Sequence, residues 1–232
     1  MKINFKQANK ANFADGRSVP VEYIVIHYTS NKGDTAKNNA DYFAREDTGT
    51  SAHYFVDENE IWQSVKDTDT AWHCGGGRQS NKGGTFYQKC KNSNSIGVEI
   101  CMNGKKGNVR RGSIDTAVEL VRYLMERYRV PINRVIRHYD VNGKDCPAPM
   151  VADESLWNEF KANSEDDSML TYEQWKAYME KYAQERAEAP ADAWAGESIS
   201  RMKERGVTDG ERPQAYVTRQ EAVTMIDRAI KG

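Results

Sequence analysis

Apolar positions in the first 160 or so residues follow two periods, and each period predicts a different element. Glu22–Tyr28 (EYIVIHY) is a short β-branched and aromatic run of the kind that fills a buried central strand, with a histidine near its end. His53–Val56 and Ile61–Val65 flank the polar tetrad Asp57-Glu58-Asn59-Glu60 and read as a hairpin. Ile96–Met102 (IGVEICM) and Arg134–His138 are two further strands. Between them the period lengthens. Ile114, Ala117, Val118, Val121, Leu124, Met125 and Tyr128 recur at helical spacing behind Ser113 as N-cap, and that helix stops before Pro131. Shorter helices fit Ala36–Ala44 and Glu154–Lys161. Strands and helices alternating around one core predict an α/β domain with a central sheet over residues 1–163.

After Asn163 the pattern changes. Residues 164–170 begin with the polar, acidic run Ser164-Glu165-Asp166-Asp167-Ser168 and read as a linker. Residues 171–232 show only helical spacing and predict a small all-α domain. Thr171 and Gln174 form a capping box opening a helix with Tyr172, Trp175, Tyr178, Met179 and Tyr182 on one side; these aromatics are expected to pack in a core. Pro190 ends that helix, a second runs from about Asp192 to Arg205 and is closed by Gly206, and a third follows the capping box Thr218–Glu221.

Composition narrows the function classes. The net charge of −1, divided as +3 before residue 164 and −4 after it, leaves no basic footprint for nucleic acid. No run approaches the roughly 18 apolar residues of a membrane span, and MKINFKQANK lacks the apolar core of a signal peptide. The expectation is a soluble product made in the cytoplasm without a signal and without membrane insertion. Cys74, Cys90, Cys101 and Cys146 are too few for a disulfide scaffold and form no CxxC pair. The cluster Gly75-Gly76-Gly77, with Gly83-Gly84 nearby, lacks a phosphate-loop pattern and reads as a flexible surface loop.

Of four histidines, His27 and His138 each end a strand, where α/β folds open onto a functional face, and Cys146 follows His138 by eight residues in HYDVNGKDCP. Two imidazoles and a thiolate suit zinc with three protein ligands and one open position. Spacing alone is a weak signal, since a histidine at a strand end is more often packed or on the surface.

Five segments in order carry more weight: IVIHYTSN, TSAHYFVDENEIWQSV, DTAWHCG, SNSIGVEICMNG and RHYDVNGKDCP. Together, over about residues 20–160, they resemble the amidase-2 family of N-acetylmuramoyl-L-alanine amidases, which includes phage endolysins and is related to peptidoglycan recognition proteins. The resemblance implies a zinc amidase fold, a central mixed β-sheet flanked by helices with a shallow groove holding the metal. It implies Zn²⁺ held by His27, His138 and Cys146, a general base in Glu99 and a transition-state cation in Lys144. Where some relatives carry a tyrosine, this chain has Ala52, which leaves Glu99 as the base.

Such roles fit the chemistry of an amide, a poor electrophile attacked by a poor nucleophile. A metal improves both, a carboxylate moves the proton to the departing amine, and a fixed cation stabilises the developing oxyanion. Taken alone, Glu99 reads as a solvent-facing residue in an edge strand, opposite Val98 and Ile100, and Lys144 as a loop lysine. His53 is expected to be packed rather than a ligand. Trp72 and His73 suit the groove wall, with Thr29 and Asn31 bordering it.

The tail segment from DAWAGESIS to VTRQEAVTMI is similar to one unit of S-layer-homology domains and to C-terminal regions of endolysins, which implies attachment to the cell wall. Its helices also offer a surface for self-association. The reading is therefore an endolysin or autolysin that cuts between N-acetylmuramic acid and L-alanine in bacterial peptidoglycan. It would reach the wall after release, through a holin or on lysis. Two alternatives stand beside it: a binding module without catalysis, against which the five site residues argue, and a cytoplasmic muropeptide-recycling amidase, against which the tail argues.

Overall fold

A computed structural model describes residues 1–104, 108–165 and 172–231, arranged in two compact units, Met1–Asp166 and Asp167–Gly232. In the first unit, β1 (Ile3–Phe5), β3 (Tyr23–Lys32), β4 (Tyr54–Val56), β5 (Ile61–Gln63), β7 (Ser95–Met102) and β8 (Val135–Arg137) form one sheet in the order β1-β5-β4-β7-β3-β8. All its pairings are parallel except the antiparallel β4–β5 hairpin, so the sheet is mixed. Asp57 turns that hairpin by accepting the backbone N–H groups of Asn59 and Glu60 on Oδ1. The short strands β2 (Phe13–Ala14) and β6 (Thr70–Ala71) pair separately; neither they nor β1 stood out in the pattern, being two or three residues long.

The period-2 alternation of the central strands sorts their residues to two faces. Ile24 and Ile26 of β3 and Ile96, Val98 and Ile100 of β7 point to the face covered by α2 (Arg111–Tyr128) and α5 (Glu154–Ser164). There they meet Leu120, Leu124, Trp157 and Phe160 in the main core. Leu124 is fully buried, so Leu124→Ala is expected to destabilise by about 2–5 kcal/mol in urea unfolding, whereas exposed Glu126→Ala should stay within about 0.5 kcal/mol. The opposite face carries Tyr23, Val25 and His27 of β3 and Ser95, Gly97 and Glu99 of β7 in direct register, with Phe55 of β4 beside Glu99. Helix α1 (Ala36–Arg45), capped by Thr35, borders this second face together with α3 (His138–Asn142).

Three boundaries differ from the sequence reading. The long helix starts at Arg111 behind Arg110, so Ser113 lies inside it, buried, with its hydroxyl bonded to Asn103 Oδ1 at 3.0 Å. β3 continues to Lys32, so His27 lies within the strand; its regular pairing with β7 breaks between Tyr28 and Lys32, where Ser30 has φ 55°. His138 opens α3 instead of ending β8, because Asp140 accepts the Arg137 N–H at 2.9 Å and turns the chain into a helix. The expected linker begins on Ser164, the last residue of α5; residues 166–170 and Thr171, with its capping box, lie outside the described residues.

The second unit contains α6 (Tyr172–Glu188), α7 (Gly196–Glu204) and α8 (Arg219–Lys231). The capping box at Thr218 and Glu221 forms as expected. The core packing expected for the α6 aromatics does not form at the residues described there: Tyr178, Met179 and Tyr182 are exposed and Trp175 is half exposed, while the Tyr172 side chain lies outside the described residues. A helical unit this small buries little, and Val207 is its one buried residue among those described. Among the described residues no helix is long and apolar enough to cross a membrane.

Candidate metal centre and groove

Three buried side chains converge on the second face from three separate elements. His27 comes from β3, His138 from the first position of α3, and Cys146 from the turn that follows α3. One nitrogen of each imidazole and the Cys146 sulfur all lie within 4.8 Å of one another. His27 Nδ1 faces Cys146 Sγ at 3.8 Å, and the two imidazole rings meet edge to face at 4.7 Å between centroids.

Local chemistry fixes each position. Buried Arg137 ties the β8–α3 turn by ion pairs to Asp140 and Glu154 and by a hydrogen bond to the Met150 carbonyl in α4 (Ala148–Ala152). Past α3 the chain turns at Gly143, which has φ 82° and where a Cβ would sit 2.7 Å from the Lys82 carbonyl, so only glycine fits. Tyr139 N–H then holds the Cys146 carbonyl at 2.9 Å. The close approach at Lys82 belongs to a loop docked on α3: Gln79 N–H donates to the Asn142 carbonyl, Gly84 N–H to that of Tyr139 and Phe86 N–H to that of Asp140. The glycine-rich segment is the surface loop that was expected, with Gly75, Gly76 and Gly77 exposed, and its later part from Gln79 to Phe86 is held by carbonyl acceptors of α3.

The donor set fits zinc. Tetrahedral Zn–N and Zn–S bonds place their ligand atoms roughly 3.5 Å apart, close to the His27–Cys146 separation. Both His138 ring nitrogens are buried with no hydrogen-bond partner, a costly state that a metal bond would relieve at one of them. Burial, then the charge of Lys144, pushes His138 down to about 3; burial and the neighbouring His138 hold His27 well below the usual histidine range. Both imidazoles therefore stand neutral and ready to ligate.

Glu99 sits beside His27 across the β3–β7 register, on a central strand of the sheet rather than an edge. Its Oε2 is buried without a partner, and burial pushes the carboxyl up to about 7, with Lys144 opposing and Asp34 assisting. Lys144 is exposed and close enough for its charge to act on Glu99, His27 and His138. Glu99 also lines a cleft of about 560 Å³ together with Thr29, Asn31, Asn38, Tyr42 and Arg45. Thr29 Oγ1 is likewise buried and unpaired. Thr29 and Asn31 were expected to border a groove; Asn38, Tyr42 and Arg45 had no motif to mark them.

His73, expected on the groove wall, is half-buried and commits both ring nitrogens internally, to His27 Nε2 at 3.0 Å and Ser95 Oγ at 3.1 Å. His53 is packed as expected, accepting Gly97 N–H on Nδ1 and meeting Arg17 on Nε2. Trp72 is half-buried, its backbone bonded to Ser51. Half-buried Arg17 was not singled out in the sequence, yet it gathers the carbonyls of Asp67, Asp69, Asn92 and Ser93 around this network.

Comparison with known families matches residues 17–149 to Amidase_2, N-acetylmuramoyl-L-alanine amidase. Over 172 residues the chain is 35% identical to the N-acetylmuramoyl-L-alanine amidase CwlL of Bacillus licheniformis, covering 72% of this chain and 46% of that one. It is 34% identical to CwlH of Bacillus subtilis strain 168, covering 62% and 53%. The chain thus spans about half the length of the curated relatives it matches. Among solved structures, PlyL superposes with a TM-score of 0.60 at 29% identity over 72% of this chain and 98% of its own. The catalytic domain of XlyA gives 0.58 at 27%, covering 71% and 99%.

Proposed function

The chain belongs to the N-acetylmuramoyl-L-alanine amidase family, and we propose that it hydrolyses the amide between N-acetylmuramic acid and L-alanine in bacterial peptidoglycan, with zinc at His27, His138 and Cys146. The observation that carries this reading is the buried His-His-Cys triangle with an unpaired, desolvated carboxyl beside it on the same sheet face. A bound zinc ion would polarise the scissile carbonyl and acidify water. Glu99 takes the proton of the attacking water on Oε2 and delivers it to the departing amine. Lys144 supplies positive charge where the carbonyl oxygen becomes anionic. Thr29 and Asn31, in the cleft that Glu99 lines, contact the substrate, and the half-buried Trp72 offers it a further contact outside that cleft.

The second unit, with its resemblance to an S-layer-homology repeat and with exposed Trp194, Tyr216, Val217 and Ile226, attaches the enzyme to the wall. Self-association would use the same helices. In this reading the protein is an endolysin that acts on the wall after release from the cell that makes it.

The test uses purified bacterial walls with native, chelated and zinc-restored protein. The expected result is zinc-restorable release of L-alanine amino termini without new reducing ends. Binding without release would replace the amidase reading with that of a recognition module, and new reducing ends would make the enzyme a glycosidase.

A further inference from the structure

A single backbone carbonyl sets the proton positions that aim His27 at the metal. Ser95 Oγ lies 2.6 Å from the Lys91 carbonyl oxygen, which only accepts, so the hydroxyl proton points there. Toward His73 Nε2, at 3.1 Å, Ser95 must then accept, so the His73 ring proton sits on Nε2. A neutral imidazole carries one ring proton, so with that proton on Nε2 the His73 Nδ1 is bare, 3.0 Å from His27 Nε2, and that contact is a hydrogen bond only if His27 carries its proton on Nε2. His27 Nδ1 is thereby left unprotonated, and it is the atom that faces Cys146 Sγ.

A second, independent feature holds the middle of this chain in place. Gly97 lies under the His73 ring: a Cβ there would come within 2.6 Å of its Cγ and 2.8 Å of its Nδ1. Real Cβ contacts are not that short, so the ring has its seat only because residue 97 is glycine. Ser95, Gly97 and Glu99 alternate along one face of β7, so one strand supplies the relay's anchor, the ring's seat and the carboxylate.

We infer that His73 is a positioning residue of the metal centre, and that the Lys91–Ser95–His73 relay, seated on Gly97, locks His27 in the tautomer that presents Nδ1 to the ion. Its zinc consequence rests on the metal reading above; its tautomer consequence does not. Histidine ligands are commonly held by a partner on their other nitrogen, and loss of that partner weakens metal binding by roughly 10–100-fold.

The experiment has two readouts. In zinc-free wild-type protein, two-bond nitrogen–proton spectra should show the His27 proton on Nε2, while His73→Leu should show both tautomers. In competition titrations against a chromophoric zinc chelator, His73→Leu should bind zinc about 10–100-fold more weakly than wild type. His73→Asn, whose Oδ1 can accept where Nδ1 did, should recover most of that loss. Gly97→Ala should resemble His73→Leu, and Ser95→Ala should lose less. A His27 proton on Nδ1 in the wild-type protein would overturn the relay. So would unchanged zinc affinity in folded His73→Leu, or an Asn variant no better than Leu. Failure of the wild-type protein to bind zinc, with the proton on Nε2, would overturn the metal reading and leave the tautomer lock standing.

Discussion

Glu99→Gln is expected to lower kcat/KM for release of L-alanine amino termini by at least about 100-fold, the usual contribution of a positioned general base, while making the zinc-free protein more stable above neutral pH. Both effects have one cause. Glu99 is held between His27 and Phe55 on a central strand, with Oε2 buried and unpaired. Desolvation there lifts its pKa from 4.5 to about 7, which suits proton abstraction near neutrality. Between those values the folded protein keeps a proton that the unfolded chain has released, so stability is greatest below pH 4.5 and falls as pH rises toward 7. At about 1.4 kcal/mol per unit, roughly 3 kcal/mol is lost by pH 8. Glutamine has no proton to lose. Urea unfolding of zinc-free wild type and variant should therefore agree near pH 4.5 and diverge in favour of Glu99→Gln at pH 8. Activity within a few-fold of wild type would remove Glu99 from the base role, and parallel stability curves would mean the carboxyl is not desolvated.

Part of this centre is legible in the chain because His27 sits on a strand with a strong pattern, whereas His138 and Cys146, on a helix start and a turn, were marked by the family resemblance and not by periodicity. EYIVIHY has the β-branched and aromatic run of a buried strand, and in the folded strand His27 lies on the face opposite Ile24 and Ile26. Glu99 was harder: IGVEIC gives the side chain's direction but not the strand's neighbours, and only the pairing with β3 and β4 makes it central. The relay was hidden for a related reason. Ser95 and Gly97 are ordinary residues in a strand, and the ring that needs them arrives from a segment more than twenty residues earlier. Arg17 and the docked glycine loop depend on contacts with backbone carbonyls, which side-chain patterns do not record. In the tail, helical spacing correctly gave helices, but an apolar stripe states only what a face prefers; whether anything covers it depends on how much chain is available to do so.

Cys146→Ser is expected to weaken zinc binding by well over 100-fold, beyond the loss from His73→Leu, and to abolish wall hydrolysis in proportion to the zinc lost. The serine hydroxyl is a poor ligand at neutral pH, and only two protein donors, His27 and His138, would remain for the ion. The thiol also gives the site a pH signature. Burial, then the charge of Glu99, pushes Cys146 up to about 12, so the zinc-free protein carries a protonated thiol. The imidazoles are held neutral, so the proton that zinc displaces at its ligands comes from sulfur, and affinity should rise with pH across the neutral range. Cys146→Asp tests the argument from the other side. A carboxyl starts from about 3.9 where a thiol starts from about 8.5, so even raised by the same burial it loses its proton at lower pH than the thiol, and zinc binding should persist with a pH dependence that flattens toward pH 8. Zinc titrations at pH 6, 7 and 8 on the three proteins separate the outcomes: equal affinity in wild type and Cys146→Ser would remove the cysteine from the ligand set, and an unchanged slope in Cys146→Asp would place the displaced proton elsewhere.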